Sequence, residues 1–167
     1  LFIDADEVID EAFREELELK TKETAHVGFW LNYTNYFMGK KLKHGLPQRK
    51  LACLKVGAGE YEFIEESSWS SLDMEVHEHP VLRGTTGEIS APIDHRDFRG
   101  LARFLERHID YARWEASRYL SLRRSRKLTE IGLTKRQNFK YRNINRFWFA
   151  DFYFYYCYIV RLGFLDG

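Results

Sequence analysis

The spacing of apolar residues changes once along this 167-residue chain, near Phe98, and this change limits the folds open to it. Before Phe98 the apolar residues form short runs rich in β-forming residues, of which the longest spans residues 27–37. After Phe98 an apolar stripe with helical spacing continues for about seven turns. The stripe consists of Leu101, Leu105, His108, Ala112, Ala116 and Tyr119. The change predicts an α/β fold, in which part of a mixed sheet precedes a long amphipathic helix.

Shorter patterns predict the remaining elements. Ile9, Phe13 and Leu17 recur every four residues and predict a helix that Asp10 caps. Further short strands are predicted at 1–3, 51–55, 74–81 and 89–95, with a loop at 38–49. A basic connector with a possible second helix follows at 123–146, and 147–165 is a strongly aromatic apolar run.

Charge is segregated along the chain, although its formal net charge is only +1. Residues 1–23 include nine acidic and three basic residues, whereas residues 113–146 include eleven basic and two acidic residues. This contrast indicates a cation site near one end and an anionic partner near the other. The two cysteines, Cys53 and Cys157, lie far apart in sequence and argue against a disulfide scaffold or a cysteine-based zinc site.

The sequence Asp4-Ala5-Asp6 follows the predicted first strand, where ligands of open α/β sheets commonly bind. Two carboxylates one residue apart can converge on a hard divalent cation, which in turn can neutralise a diphosphate. The same tripeptide is also common in solvated turns, so the pattern leaves both interpretations open.

A second candidate is Glu75-Val76-His77-Glu78-His79-Pro80. On a strand His77 and His79 share one face and Glu78 lies on the other, where its carboxylate could deprotonate an acceptor hydroxyl. The alternative is that Glu78 is an ordinary surface acid. His95, just before the long helix, could face a cleft, although a histidine in that position is more often structural.

The basic and aromatic C-terminal part combines a row of arginines with Phe147-Trp148-Phe149. This combination fits an anionic membrane surface. Asp151, Arg161 and several tyrosines make 147–165 too polar for a spanning helix. Nucleic-acid binding is the competing interpretation of the same charges, but no recognition motif accompanies them.

In their order along the chain, these patterns resemble the lipopolysaccharide-core branch of the family-2 glycosyltransferases. The family's metal-binding motif is matched by Phe2-Ile3-Asp4-Ala5-Asp6-Glu7. Later segments of the pattern are matched by Gly28-Phe29-Trp30-Leu31-Asn32, Asn35-Tyr36-Phe37-Met38-Gly39, His44-Gly45, Val76-His77-Glu78-His79, Gly84, Gly87, Pro92-Ile93, His95, Leu101, Phe104-Leu105, Tyr111, Glu115-Ala116 and Arg161-Leu162-Gly163-Phe164-Leu165-Asp166-Gly167. The resemblance spans essentially the whole chain.

The resemblance implies a GT-A-type fold, a nucleotide-sugar donor and inverting transfer to a glycan or glycolipid acceptor. Asp4 and Asp6 would hold Mg²⁺ or Mn²⁺ against the donor diphosphate. Glu78 would be the catalytic base, with Glu75 and Asp73 close enough to be alternatives.

The resemblance implies that the substrate binds in a cleft lined by His77, His79, His95 and Trp30. Ala52 stands where the family often has an arginine, so an acceptor or phosphate contact at that position is in doubt.

The resemblance also implies an organisation and a location. A nucleotide-binding half would precede Leu1, and this chain, a fragment, would be inactive alone. Residues 1–97 would be the acceptor-side part of the catalytic domain, 98–146 the helix and connector, and 147–167 a membrane-adherent helix. The enzyme would act in envelope glycan synthesis at the inner face of the bacterial cytoplasmic membrane. A non-catalytic membrane-surface module and a nucleic-acid-binding domain are the alternatives; neither explains the acidic front, and no nucleic-acid partner is expected.

Overall fold

The computed structural model of the chain describes residues 1–22, 24–61, 79–96, 99–124 and 134–166. It confirms the predicted α/β class and the mixed sheet. The strands are β1 (Glu7–Val8), β2 (Gly28–Phe37), β3 (Lys40–Lys41), β4 (Gln48–Leu54), β5 (Gly59–Tyr61), β6 (Pro80–Leu82) and β7 (Thr86–His95). The helices are α1 (Glu11–Lys22), α2 (Gly100–Arg124), α3 (Lys135–Asn143) and α4 (Phe149–Tyr155), after which come a π-helical turn (Tyr156–Val160) and a 3-10 turn (Gly163–Asp166).

The chain forms two compact units. The first, called the sheet unit, consists of Leu1–Ile64, Glu75–Phe98 and Leu162–Gly167. The second, called the helical unit, consists of Glu65–Met74 and Arg99–Arg161. The long helix and residues 147–161 of the aromatic segment therefore belong to one unit, while the 3-10 turn belongs to the other.

The sheet unit is built around β2. Strand β7 pairs with β2 in parallel on one side, and β4 and β3 pair with it antiparallel on the other. Strand β1 lies antiparallel against the outer edge of β7. Strands β5 and β6 form a separate antiparallel pair. Strand β2, the predicted β-rich run, occupies the centre because both of its edges are paired.

The core of the sheet unit lies between this sheet and α1. Phe13 of α1 is fully buried against Leu31 of β2 and Ile89 and Ile93 of β7, which are themselves 0% exposed. Asp10 caps α1 as predicted, because its side-chain oxygen accepts a hydrogen bond of 2.8 Å from the Phe13 N–H. The helix is thus placed by its cap and by one aromatic anchor.

A tight hairpin begins the predicted loop at 38–49. Met38 and Gly39, with φ of 49° and 80°, connect β2 to β3, and Phe37 pairs with Lys40 across the turn. Two central residues with positive φ match the right-handed twist of the flanking strands. Strand β4 also begins earlier than predicted, at Gln48.

The prediction of a buried strand at 1–3 is wrong. Leu1, Phe2 and Ile3 are 41–57% exposed and lie outside any strand, although the Phe2 N–H donates to the Ala52 carbonyl at 2.9 Å. One such bond does not make a ladder, so regular pairing starts at β1. The Asp4-Ala5-Asp6 sequence therefore enters a strand and does not follow one.

The 3-10 turn is fastened to the loop before β4. The Asp166 carboxylate accepts hydrogen bonds from the N–H groups of Lys43 at 3.0 Å and His44 at 2.8 Å, and it lies 3.0 Å from Nδ1 of His44. The His44 side chain and these N–H groups lower the pKa of Asp166 to about 2. Two sequence segments far apart in the chain thereby meet in the sheet unit.

The helical unit confirms a long helix, a second helix in the basic connector and helical structure in the aromatic segment. The predicted stripe on α2 is not the buried face, since Leu101 and Leu105 are 46% and 52% exposed. The buried positions of α2 are instead Trp114, Arg118 and Leu122, spaced four apart. In the described parts of the chain, no helix is long and apolar enough to cross a membrane.

Candidate active site

The turn that carries Asp4 and Asp6 is closed by its own backbone. The Glu7 N–H donates to the Asp4 carbonyl at 3.0 Å, and the Asp4 N–H donates to Glu7 Oε2 at 3.0 Å. Glu7 begins β1, where it pairs with His95 of β7. The turn is therefore held next to the end of β7, the strand that carries the predicted cleft histidine.

Lys50 of β4 lies between two of these carboxylates. Its Nζ is 3.0 Å from Asp4 Oδ2 and 3.0 Å from Glu7 Oε1, and it lies 5.0 Å from the centre of the Tyr33 ring. The Glu7 side chain is 1% exposed, whereas that of Asp4 is 66% exposed. The ammonium thus offsets a buried carboxylate, which would be costly to bury alone.

The same cluster shifts the pKa of two of its members. Burial alone would lower the pKa of Lys50, but the hydrogen bonds to Glu7 and Asp4 outweigh burial and raise it above its ordinary value. Burial and the Glu7 charge raise the pKa of the Tyr33 hydroxyl to about 12. Lys50 therefore stays charged, and Tyr33 stays neutral, across the physiological pH range.

Asp6 lies on the other side of the turn, beside His95 and Asn35. Asp6 Oδ2 is 3.7 Å from His95 Nε2, and His95 Nδ1 is 3.3 Å from Asn35 Oδ1. Asn35 and His95 are direct partners in the parallel β2–β7 ladder, and the Arg96 N–H donates to the Asp6 carbonyl at 2.8 Å. Three residues that the sequence separates widely are thus side by side at one end of the sheet.

The two ring nitrogens of His95 face different partners. Nδ1 faces the Asn35 side-chain oxygen and Nε2 faces the Asp6 carboxylate. The His95 ring is therefore oriented by a contact at each nitrogen.

Trp30, another predicted binding residue, is not part of this group. By strand alternation it lies on the opposite face of β2 from Asn35. Its ring packs under the Arg49 guanidinium at 5.4 Å, and Arg49 is 3.5 Å from Glu88. Half-burial of Trp30 follows from this local cluster.

The Glu78 region remains a prediction. Glu78, His77, Glu75 and Asp73 lie outside the described residues. His79 is described, and it is exposed immediately before β6.

Ala52, the position where the resembled family often has an arginine, is buried in the core beside Phe29 and Leu31. The cations of this strand are Arg49 and Lys50, and Lys50 is the one beside the acidic turn. Sequence reasoning missed Lys50, and its place in β4 beside an acidic turn could not be read without the strand pairing. In the sequence, Asn35 is distinguished only as part of the segment Asn35-Tyr36-Phe37-Met38-Gly39 that resembles the glycosyltransferase family.

A divalent cation fits these residues in part. Within residues 1–22, 24–61, 79–96, 99–124 and 134–166, no group of three or more His, Cys, Asp and Glu side chains is arranged to hold a metal. Asp4 is occupied by Lys50, while Asp6 and His95 offer one oxygen and one nitrogen. Mg²⁺ commonly binds through one or two carboxylates together with substrate phosphates, and imidazole is an additional ligand suited to transition metals. Asp6 and His95 thus offer two ligand atoms, fewer than a protein site that holds a divalent cation by itself.

Comparison of the chain with protein-family models, curated proteins and solved structures finds no match.

Proposed function

We propose that the chain is the acceptor-side part of a metal-dependent, inverting glycosyltransferase with a GT-A-type fold. It transfers a sugar from a nucleotide-sugar donor to a lipid-linked or lipopolysaccharide-core-type acceptor, at the inner face of the bacterial cytoplasmic membrane. The observation that carries the proposal is the meeting of Asp6, Asn35 and His95. The sequence resemblance draws these residues from three separate segments, and a common active site is a physical reason for them to converge.

A second pair of resembling segments also converges. His44 and Asp166 come from the motifs at 44–45 and 161–167, and they are joined through Nδ1 and the carboxylate at 3.0 Å. This contact fixes the loop before β4, the strand that supplies Lys50. It supports the proposal as a structural reason for the two motifs to occur together.

In the proposed reaction, the acceptor hydroxyl oxygen attacks the anomeric carbon as the bond to the donor diphosphate breaks. Glu78 takes the hydroxyl proton, and the nucleoside diphosphate leaves on the opposite face. Asp6 would hold Mg²⁺ or Mn²⁺ with His95 beside it, and the ion would supply positive charge to the departing diphosphate.

The roles of the remaining residues follow from their contacts. Asn35 orients the His95 ring through Nδ1, which aims Nε2 at Asp6. Lys50 holds Asp4 and Glu7 and thereby fixes the turn on which Asp6 is carried. Asp4 would reach the cation only by exchanging its Lys50 contact, so we assign Asp6 the larger role.

The test is metal-stimulated nucleotide release by the full-length protein, across a panel of nucleotide sugars with membrane lipid extract as acceptor. For the donor that reacts, Asp6→Asn is expected to lower the rate at least about 100-fold, which corresponds to about 2.7 kcal/mol of lost transition-state stabilisation. His95→Ala should raise the Mn²⁺ concentration needed for half-maximal rate about 10-fold or more.

Asp94→Asn is the matched control. Asp94 is the neighbour of His95 in β7, but it bonds to Tyr36 at 3.3 Å and Arg96 at 3.2 Å, and it is predicted to change the rate less than about 3-fold. An Asp6→Asn protein with unchanged rate and metal dependence would refute the metal assignment. Absence of release with every donor and metal, from a folded protein with acceptor present, would refute the transferase.

One observation favours the non-catalytic membrane-surface module as the second candidate. Phe147, Phe154 and Tyr155 are 57–93% exposed in the basic, aromatic segment. A pure surface module predicts that binding to anionic vesicles is unaffected by Asp4→Asn or Asp6→Asn and that no donor is turned over. The transferase predicts the same vesicle binding together with turnover, so the release assay separates the two.

A further inference from the structure

A largely open cavity with both polar and apolar lining lies along α3 in the helical unit. Its volume is about 510 Å³, and it is lined by Asn138, Phe139, Arg142, Asn143 and Arg146. Arg142 and Arg146 are four residues apart, and the Arg146 N–H donates to the Asn143 carbonyl at 2.8 Å. The chain thus continues in a helical turn beyond α3, which brings the two guanidinium groups to the same cavity.

The two arginines of this cavity differ from Lys140 and Arg113, which pair with carboxylates. Among the residues that the structure describes, neither Arg142 nor Arg146 forms an ion pair with a carboxylate. Lys140, on the same helix, bonds to Glu115 at 2.5 Å, and Arg113 bonds to Asp110 at 3.4 Å. The cavity therefore has two guanidinium groups on its wall and no acidic lining residue, a composition that favours an anion.

The amide side chains of the cavity are held in fixed orientations. Asn138 Nδ2 donates to the Thr134 carbonyl at 3.3 Å, and Asn143 Nδ2 donates to the Phe139 carbonyl at 2.7 Å. Each amide thus places polar atoms next to the arginines without a freely rotating side chain.

The remaining wall of the cavity is apolar and leads to an exposed aromatic surface. Phe139 is 55% exposed, and its ring meets that of Phe149 at 6.1 Å in an edge-to-face contact. The aromatic surface continues along α4 with Phe152 and Tyr153, which are 49% and 46% exposed. A ligand with a phosphate and an adjoining hydrocarbon portion therefore finds a matching partner for each.

We infer that this cavity binds the phosphate of an anionic membrane phospholipid, with Arg142 and Arg146 as the phosphate ligands. The inference rests on the membrane-surface location in the proposed function but not on sugar transfer. A phospholipid is favoured over a free phosphate because an exposed aromatic surface adjoins the arginines, and that surface gains stability when acyl chains cover it.

The inference is tested by co-sedimentation of the full-length protein with vesicles of phosphatidylcholine, with and without phosphatidylglycerol. Arg142→Gln and Arg146→Gln should each weaken binding to the phosphatidylglycerol vesicles about 5-fold. Arg123→Gln removes the same charge from an exposed position at the end of α2 that does not line the cavity, and it should weaken binding less than about 2-fold.

Arg142→Lys distinguishes a built site from general attraction. Lysine keeps the charge but cannot bind two phosphate oxygens with one planar group, so the built site predicts a loss of about 3-fold or more. Equal losses from Arg123→Gln and Arg142→Gln, with full binding by Arg142→Lys, would overturn the inference in favour of diffuse charge. Circular dichroism of each variant should be unchanged, because Arg142 and Arg146 are exposed.

Inorganic phosphate identifies the source of the phosphate group. A phospholipid site predicts that millimolar inorganic phosphate leaves vesicle binding nearly unchanged at constant ionic strength. Binding of inorganic phosphate to the lipid-free protein through Arg142, together with vesicle binding that does not depend on Arg142, would overturn the lipid assignment. Asp6→Asn should bind the vesicles as the wild type does, so a failed transferase test and a failed lipid test give different results.

Discussion

The two units of this protein have different kinds of internal core. In the sheet unit, Phe13, Leu31, Ile89 and Ile93 form an apolar centre that solvent does not reach. In the helical unit, the buried residues of α2 and α3 surround a charge, because Arg118 lies 5.3 Å from the ring centre of Trp114 and 5.7 Å from that of Tyr141. Apolar burial depends on volume and shape, whereas a cation over two rings depends on charge and orientation.

This difference suits the roles we propose for the two units. The sheet unit brings Asp6 and His95 together through the pairing of β1 with β7, and the apolar core lies against the same sheet. The helical unit presents basic and aromatic side chains to solvent, and about half of the aromatic side chains described in it are exposed.

The largest effect is expected from the apolar core. Phe13→Ala leaves a cavity between α1 and the sheet and should lower the free energy of unfolding by about 3–5 kcal/mol. Leu19→Ala, on the same helix but 70% exposed, should change it by less than about 0.5 kcal/mol. Peptide-resolved hydrogen exchange should show the loss in β2 and β7. Equal loss of protection in α2 and α3 would break the comparison, because the two units would then unfold as one.

A smaller effect is expected from the charged core. Arg118→Ala removes a stem and a cation that contact two rings, and it should reduce the protection of α2 and α3 by about 2 kcal/mol. Arg118→Met keeps the stem without the charge and separates packing from the cation–ring attraction. Arg113→Ala, whose side chain is 74% exposed, is the control. If Arg118→Met were as stable as the wild type, the packing of the side-chain stem, and not the attraction between the cation and the rings, would account for the stability of this core.

The smallest effect is expected from the electrostatic link between α1 and β7. Glu16 accepts hydrogen bonds from the Ser90 N–H at 2.9 Å and the Ala91 N–H at 2.7 Å, and it pairs with Lys20 at 2.6 Å. Burial alone would raise the pKa of Glu16, but the bonds from Lys20, Ser90 and Ala91 outweigh burial and lower it from 4.5 to about 2. The native carboxylate is therefore harder to protonate than the unfolded one.

The pH dependence follows from this sign. The Glu16 contribution is fully present above about pH 4.5 and is lost as the pH falls toward about 2. Glu16→Gln should cost about 1 kcal/mol at pH 7 and should flatten the decline in stability between these pH values. Glu15→Gln, an exposed neighbour, should leave the pH profile unchanged. If stability declined identically at acid pH in the wild type and in Glu16→Gln, the Glu16 contact between α1 and β7 would be excluded as a source of that decline.

Local signals made part of the fold predictable from sequence. Strand β2 and helix α1 were predictable because β-forming residues are continuous in one and a cap precedes an apolar face in the other. The buried face of α2 was not predictable from apolar spacing. Arginine counts as polar in an apolar-spacing pattern, so the pattern does not mark Arg118 as a core position. It marks Leu101 and Leu105 instead, although both are exposed.

The candidate site was predictable only residue by residue. Asp6 and His95 were named as separate candidates, but their contact depends on β1 pairing with the far end of β7, which no local pattern specifies. Lys50 was missed for the same reason, since its partners Asp4 and Glu7 are 46 and 43 residues away. Contacts at such separations come from sheet register and not from spacing.

The placement of β2 also determines the order in which the sheet can assemble. Its antiparallel partner β4 lies within the same hairpin, whereas a contact with β7 such as Tyr36 to Asp94 closes 58 residues. Each doubling of the length of a closed loop costs about 0.6 kcal/mol of chain entropy. The pairing of β2 with β4 is therefore expected to form before the pairing of β2 with β7. Contacts over long separations also slow the approach to the native state. We therefore expect the candidate-site pair Asp6–His95, which needs β7 in place, to form late in the assembly of the sheet unit.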